Sequence, residues 1–155
     1  MSPIVTRIEI AVPPSEVFAY VADPRRFPEW QRDIVAVRLA DPAPPPGPLG
    51  RNERFTTVRR IGGADRAMTQ EVVTADPYRE WAVRGTDGPI RPNVSVTIEP
   101  SGTGSVATFT FDFEAPAIGR PLLPLVRRMT GRIAPLSVDR CRHLLEAAHR
   151  AAHQP

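Results

Sequence analysis

Apolar and polar side chains alternate along the first part of the chain in the pattern of a half-buried strand. Between positions 4 and 12, isoleucine and valine fill most of one set of alternate positions, and Arg7 and Glu9 lie in the other set. Residues two apart in a strand share one face of the sheet. The pattern therefore predicts a first strand over 4–12, which Pro13 and Pro14 end.

Two short helices are predicted to follow this strand. Val17, Phe18 and Val21 recur at helical spacing, and Ser15 is suited to cap the start of a helix. The segment 25–30 lies between prolines and ends in a tryptophan. We predict that it forms a second short helix or turn.

Alternation returns at residue 33 and continues to residue 114, with turn-forming residues between the alternating stretches. The sequence "DPAPPPGPLG" at 41–50 is too rich in proline for regular structure and is predicted to be a loop. Gly62 and Gly63, and later "PSGTG" at 100–104, are typical of hairpin turns. Six further strands are predicted, over 33–40, 54–61, 66–74, 80–85, 93–99 and 105–114.

The chain becomes helical after Pro116. Apolar residues recur at intervals of three and four in two stretches, which is the pattern of amphipathic helices. Pro135 lies between them and would cost about 3 kcal/mol inside an uninterrupted helix, so a kink or a restart is expected there. The first stretch is marked by Leu122, Leu125, Val126 and Met129, and the second by Val138, Cys141, Leu145 and Ala148.

The length of 155 residues and the hydrophobic content of 41% are sufficient for one domain with its own core. We predict a single domain over 1–155 with a frayed tail at 150–155. Cys141 is the only cysteine, so no intramolecular disulfide can form. The first ten residues lack the apolar run of a signal peptide, and no stretch approaches the roughly 20 apolar residues of a membrane span. A cytoplasmic location is expected.

The charge of the chain gives little support for nucleic-acid binding. The formal net charge is +3, and every basic side chain other than histidine is an arginine. These arginines alternate with acidic residues and do not form a run with interleaved aromatic residues. We therefore expect no nucleic-acid partner, and the sequence leaves both a monomer and a homodimer open.

Seven antiparallel strands with one apolar face must bury that face against another element. The only large apolar element left in the sequence is the C-terminal helix. We therefore predict an α+β fold in which a strongly curved sheet wraps around that helix. Such a sheet seldom closes at both ends, so its interior can retain a cavity, and the two short helices would close or support one end.

Four segments follow the order of these elements: "VFAYVADPRRFPEW" at 17–30, "GPLGRNERF" at 47–55, "EVVTADPYREWAVRG" at 71–85 and "EPSGTGSVATFTFDF" at 99–113. With them the chain resembles the START-like superfamily, and within it the SRPBCC or polyketide cyclase/dehydrase-like proteins. The resemblance runs from about Ile4 to Ala148. It implies a helix-grip (START/Bet v 1-like) fold with a deep hydrophobic cavity. Members of the superfamily include lipid carriers, ligand receptors and aromatase/cyclases.

The alternation within each strand predicts which side chains face the cavity. Residues of the helical stretch 122–133 are predicted to line its other side, with Met129 able to adapt to different ligands. Trp81 and the phenylalanines of the last strand could pack in the hydrophobic core or contact a ligand, and in a fold with a cavity one side chain can do both. The predicted lining residues are Trp30, Phe55, Arg59, Met68, Gln70, Trp81, Val83, Val94, Val96, Phe109, Phe111, Leu122, Leu125, Met129 and Ile133.

Arg59 is the main polar candidate, because a guanidinium in an apolar cavity can orient a ligand oxygen and stabilise negative charge on it. The alternative exchanges the facing of Arg59 and Arg60. Gln70 could donate to a ligand carbonyl or be a half-exposed amide on the sheet. Trp30 could line the cavity mouth or anchor the second short helix. If the protein is catalytic, Arg59 and Gln70 are the best candidates for the reacting site.

No cofactor or metal is predicted. His149 and His153 are four residues apart, but the sequence offers them no third ligand and no rigid frame, so we expect them, like His143, to be solvated. Cys141 lies on the apolar face of the last helix and is predicted to be a small buried side chain. The motifs of covalent serine hydrolases and of nucleotide-binding loops are absent from the sequence.

Three functions remain open on the sequence. The first is binding or transport of a hydrophobic small molecule, such as a polyketide, an aromatic compound or a lipid. The second is a polyketide aromatase/cyclase, which would promote aldol ring closure and dehydration; it needs an acid or base partner that the strand alternation does not supply. The third, a protein-interaction module, is disfavoured because one core accounts for the apolar stripes.

Overall fold

Segments with alternating apolar residues form strands, and segments with helical spacing form helices. A computed structural model describes residues 2–154 of the chain. Two 3₁₀ segments, at Pro24–Arg26 and at Ala117–Leu122, each precede a helix. The elements are β1 (Ile4–Ile10), α1 (Pro14–Val21), α2 (Phe27–Trp30), β2 (Ile34–Leu39), β3 (Arg54–Ile61), β4 (Ala64–Asp76), β5 (Glu80–Gly85), β6 (Arg91–Ser101), β7 (Gly104–Glu114) and α3 (Leu123–Ala152).

The strands form one antiparallel sheet in the order β1-β7-β6-β5-β4-β3-β2. β1 and β2 are its edges. Within residues 2–154, the seven strands, the two short helices after β1 and the long last helix confirm the predicted elements and the α+β helix-grip fold. Register shifts between Ile34 and Ala36 in β2 and between Val72 and Thr74 in β4 mark bulges, which bend strands and increase their twist.

The first strand is two residues shorter than predicted, because the backbone after Ile10 turns away from the sheet. The backbone N–H of Ala11 donates to a carboxylate oxygen of Glu146 in α3 at 2.9 Å. The carbonyl of Val12 accepts from Ser105 Oγ at 2.6 Å. Val12 keeps its buried apolar side chain while its backbone leaves the β ladder, so alternation alone extends the strand too far.

The last helix continues through Pro135, so the predicted restart is wrong. Pro135 and Leu136 lie on the exposed side of α3. The carbonyl that loses its partner belongs to Gly131, four residues earlier and also exposed, where water can satisfy it. Ala134 and Val138, on the opposite side, remain buried and hold the helix against the sheet. α3 extends to Ala152, into the segment 150–155 that was predicted to be a tail.

Aromatic side chains from the short helices and the sheet form the centre of the core. Phe27 of α2 contacts Trp30, Phe55 and Trp81 edge to face, with ring centroids 5.8 to 6.0 Å apart. The indole N–H of Trp81 donates to the carbonyl of Leu49 at 3.0 Å, which attaches the proline-rich loop to the core. α2 therefore packs against both the sheet and α3, which is consistent with the predicted support of one end of the space between them.

Candidate ligand-binding cavity

A cavity of about 60 Å³ lies between the sheet and the first half of α3. We call it the main cavity. Most of its lining is apolar, and the polar groups come from the turn after α2, from β3 and from α3. It is lined by Trp30, Gln31, Asp33, Arg59, Ile61, Met68, Pro92, Val94, Phe111, Phe113, Val126, Met129, Thr130, Ile133, Ala134 and Ser137.

A second cavity, of about 30 Å³, lies deeper against the aromatic core, and we call it the inner cavity. The main and inner cavities share Trp30, Gln31, Arg59, Val94 and Phe111. These shared side chains therefore separate two small spaces that would join if they moved. The remaining lining of the inner cavity is Val21, Phe27, Gln70, Trp81, Val83, Ser95, Val96 and Phe109.

An outer groove of about 390 Å³ lies at the β3–β4 hairpin, on the other side of the main cavity. It shares Ile61, Met68 and Val126 with the main cavity. These three side chains stand between the groove and the interior. The rest of the groove is formed by Gly62, Asp65, Arg66, Ala67, Pro89, Ile90, Leu122 and Leu125.

Arg59 lines both interior cavities, and its neighbour Arg60 is exposed. Arg59 Nη1 donates to Asp33 Oδ2 at 2.7 Å, and Nη2 donates to Gln31 Oε1 at 2.8 Å. The side chains of Arg59 and Asp33 are only 19% and 17% exposed. Arg60 pairs with Asp65 at 3.0 Å in solvent, which raises the pKa of Arg60 through that hydrogen bond. The two adjacent arginines thus face opposite sides of the sheet.

Trp30 has a buried N–H without a hydrogen-bond partner in the described part of the chain. Its side chain is 3% exposed, and among residues 2–154 no hydrogen-bond acceptor contacts Nε1. The ring packs edge to face on Phe27 and Phe109, each with a centroid distance of 5.8 Å. Trp30 therefore both anchors α2 and lines the cavities. A buried donor without a partner costs about 1–3 kcal/mol, which an oxygen atom in the cavity would recover.

Gln70 is buried in β4 and lines the inner cavity, so its side chain belongs to the interior and not to a half-exposed face. Its Nε2 donates to Thr57 Oγ1 at 3.2 Å. The amide oxygen of Gln70 is the remaining acceptor of this side chain. Gln70 and Arg59 thus bring polar groups to neighbouring parts of one cavity.

The predicted lining residues divide among the three spaces. Leu122 and Leu125 line the outer groove only, and Phe55 lines none of the three. Phe55 is 2% exposed and stacks on Trp81 at 6.2 Å between ring centroids, so the structure places it in the core. The others line the main or inner cavity: Trp30, Arg59, Met68, Gln70, Trp81, Val83, Val94, Val96, Phe109, Phe111, Met129 and Ile133.

Sequence reasoning missed four polar residues of the main cavity: Gln31, Asp33, Thr130 and Ser137. Gln31 precedes the strand predicted over 33–40, and Asp33 is the first residue of that prediction, whereas β2 begins only at Ile34 and has a bulge between Ile34 and Ala36, so alternation does not give the facing of Asp33. The pairing of β2 with β3 places Ile34 opposite Arg59 and would have located Asp33 beside that arginine. The expectation that no acidic or basic partner faces the interior is therefore wrong for Asp33.

Cys141 and Tyr20 have perturbed acidities but lie outside the cavity lining. Burial raises the pKa of the Cys141 thiol, and the side chain is fully buried, which confirms its predicted role as a small core residue. Partial burial, followed by the nearby carboxylate of Glu29, raises the pKa of Tyr20. Tyr20 donates to Glu29 Oε1 at 3.0 Å. Neither group is placed to react with a molecule in the cavity.

The sheet, the short helices and α3 define a helix-grip protein with an interior cavity. The family model of polyketide cyclase/dehydrase and lipid transport proteins matches residues 1–146, and the chain belongs to this family. This confirms the resemblance drawn from the sequence. None of the curated proteins compared with the chain matches it. Within residues 2–154, no helix has the length and apolar character needed to span a membrane.

Several solved structures share the fold at low sequence identity. Zhui aromatase/cyclase from Streptomyces sp. R1128 has a TM-score of 0.76 and 14% identity, over 99% of this chain and 98% of that one. Protein TTHA0849 from Thermus thermophilus has a TM-score of 0.74 and 17% identity, over 94% and 98%. The di-domain ARO/CYC BexL of the BE-7585A biosynthetic pathway has a TM-score of 0.67 and 16% identity, over 92% of this chain and 46% of BexL.

Proposed function

We propose that the protein binds a hydrophobic small molecule with at least one oxygen acceptor, of the polyketide, aromatic or lipid-like kind, between the sheet and α3. The main support is that Trp30, whose indole N–H has no partner within residues 2–154, and Arg59 line the same two cavities, in a lining that is otherwise mostly apolar. Apolar walls with a few convergent polar groups are typical of small-molecule sites. The apolar part would supply affinity, and the two donors would fix the position of the oxygen.

Arg59 has donor capacity left for a ligand. A guanidinium carries five N–H donors, and two hydrogen bonds, to Asp33 and Gln31, are formed within residues 2–154. These two partners fix the plane of the guanidinium, so its other N–H groups are oriented before a ligand arrives. A carbonyl, phenolate or carboxylate oxygen between Arg59 and Trp30 would satisfy both.

The volumes of the spaces require movement on binding. The main and inner cavities hold about 60 and 30 Å³, whereas pockets for drug-sized ligands usually hold about 300–1,000 Å³. The outer groove, with about 390 Å³, is separated from the main cavity by Ile61, Met68 and Val126. Met68 is unbranched and can change rotamer at low cost. We infer that a ligand enters from the groove and joins these spaces by displacing Met68.

A second candidate function is a polyketide aromatase/cyclase, and the observation that favours it is the Asp33 carboxylate in the cavity lining, 2.7 Å from Arg59. Asp33 would accept a proton from a methylene group between two carbonyls, and Arg59 would stabilise the enolate oxygen. The enolate carbon would then attack a ketone carbon of the same chain. That attack closes the ring, the resulting alkoxide would take back the proton held by Asp33, and loss of water would then form a carbon–carbon double bond in the ring.

Binding is tested by calorimetric titration with 1,8-dihydroxyanthraquinone as a planar, oxygen-bearing probe. Trp30→Phe keeps most of the ring and removes the N–H, so the affinity should fall about fivefold, the equivalent of one hydrogen bond. Arg59→Ala should weaken binding further, and Arg60→Ala serves as the matched control and should bind as the wild type does. Equal affinity in all four proteins, each still folded, would contradict the proposal.

Native mass spectrometry distinguishes a carrier function from a cyclase function. The wild type and the Asp33→Asn variant are both purified from the organism in which the protein naturally occurs. The asparagine keeps the shape of Asp33 but cannot act as a base. If the protein is a cyclase, an uncyclised chain should accumulate on Asp33→Asn and a cyclised or dehydrated product on the wild type. If it is a carrier, the same species should be released from both. An empty wild type would argue against tight binding.

A further inference from the structure

Three potential metal-ligating side chains meet where the end of α3 passes α1. Glu16 lies in the first turn of α1, and His149 and His153 are one helical turn apart at the end of α3. One ligand atom from each lies within 4.8 Å of the other two. His149 Nδ1 is 2.9 Å from Glu16 Oε2, and the two imidazole centroids are 4.1 Å apart. Glu16 is far from the histidines in sequence, so only the fold brings the three together.

The chemistry of this cluster suits a transition metal. Two imidazole nitrogens and a carboxylate oxygen form the ligand set of many three-residue zinc sites, with distances of about 2.0–2.2 Å from the ion. Ligands around such an ion are about 3 to 3.5 Å from each other, so the three side chains, whose ligand atoms lie within 4.8 Å of one another, would rotate to close on it. Hard cations such as Mg²⁺ prefer sites built from oxygen ligands.

A hydrogen bond of His153 determines which of its ring nitrogens can bind a metal. Its Nδ1 is 2.8 Å from the backbone carbonyl of His149, and a carbonyl can only accept, so Nδ1 is the protonated nitrogen. The other nitrogen, Nε2, then has the free lone pair. A ligating histidine usually donates its second ring N–H to a carbonyl or carboxylate in this way, which fixes the tautomer and the ring plane.

We propose that Glu16, His149 and His153 bind one divalent transition-metal ion, with zinc as the reference ion, and that the ion fastens the end of α3 to α1. The fourth position is open to water. In the sequence these histidines have no third ligand and no frame, which predicts that they are solvated. Glu16 is that ligand, and the packing of α1 and α3 is that frame.

The alternative is an ion pair between Glu16 and His149 alone. Such a pair would hold the two helices without any metal and would not involve His153 beyond the contact between the rings. The two interpretations therefore differ in whether His153 contributes to zinc affinity and whether added zinc raises the thermal unfolding midpoint. His143 is a suitable control, because it is on the same helix, is exposed, and contacts Asp139 outside the cluster.

The experiment uses the full chain without a histidine tag, freed of metal with EDTA. ZnCl₂ is titrated by calorimetry, and the thermal unfolding midpoint is measured with and without it; MgCl₂ is the control ion. We expect one zinc ion per chain and a midpoint that rises with zinc, since an ion that binds the folded state stabilises it. MgCl₂ should leave the midpoint unchanged, and EDTA should reverse the effect of zinc.

The variants locate the site. His153→Ala and Glu16→Gln should each lower zinc affinity about tenfold or more, since each removes one of three ligands, and His143→Ala should bind as the wild type does. Circular dichroism without zinc checks that each variant folds. Zinc binding that is equally strong in His153→Ala and Glu16→Gln would overturn the proposal, as would the absence of a zinc-dependent rise in the wild type.

Discussion

The two halves of α3 pack against the sheet in different ways. In the second half, Val138, Cys141 and Leu145 are buried in the main hydrophobic cluster. In the first half, Met129 and Ile133 are only partly buried and face a cavity. One continuous helix therefore contributes most of its core packing at one end and lines the candidate site at the other. The difference indicates that the stability of the fold depends mainly on the second half of α3 and that ligand binding depends mainly on the first half.

The largest expected effect is on the packed half. Leu145→Ala should lower the free energy of unfolding by about 3 kcal/mol, because it removes a side chain that is 6% exposed and leaves a void. Ile133→Ala is the matched change in the cavity half and should cost about 1 kcal/mol, since its side chain already borders empty space. Urea denaturation measures both. Equal losses would remove the distinction between the two halves.

A second test contrasts two adjacent arginines of β3. Arg59→Ala should lower the free energy of unfolding by about 1–2 kcal/mol, because Asp33 and Gln31 lose their partner in a partly buried site. The expected loss is modest because water still reaches the Arg59–Asp33 pair and weakens its attraction. Arg60→Ala removes only an exposed side chain and should leave stability unchanged. A larger loss for Arg60→Ala would mean that β3 faces the other way.

The periodic parts of the fold follow directly from the sequence, since burial of one face imposes alternation on each strand. Alternation predicts Phe109 in the interior, where it lines the inner cavity, and of the two alternatives left open for Arg59 and for Gln70 the structure shows the interior one. Alternation does not give the facing of Asp33, because β2 begins one residue later than predicted and has a bulge between Ile34 and Ala36. Nor could it find Glu16 beside His149, which is 133 residues away. Contacts of this kind depend on how α1 and α3 pack, and no local pattern in the sequence encodes that packing.

Pro135 illustrates a related limit. A proline usually interrupts a helix because it removes one hydrogen bond and its ring crowds the preceding turn. In α3 the affected turn faces solvent, and the buried residues on either side, Ala134 and Val138, pack on the core. Tertiary packing therefore outweighs a local preference. The local sequence around Pro135 does not show whether the proline lies on the exposed or the buried side of the helix.

The smallest expected effect concerns the thiol in the packed half. Burial raises the pKa of Cys141 in the folded protein, whereas an unfolded cysteine ionises with a pKa of about 8.5. Below that pH both states keep the proton, and the contribution of the buried thiol to stability is complete. Above it the unfolded state loses its proton first, so the free energy of unfolding falls as the pH rises, by about 0.8 kcal/mol between pH 7 and 9.

Urea denaturation of the wild type and Cys141→Ala at both pH values measures this fall. The alanine variant is less stable at every pH because it loses packed volume, but it should lack the additional loss at pH 9. Tyr20 also has a raised pKa, and an unfolded tyrosine ionises near pH 10, so measurements up to pH 9 isolate the thiol. An equal fall in both proteins would show that Cys141 is accessible to water, and that the second half of α3 is packed no more tightly than the half that lines the cavity.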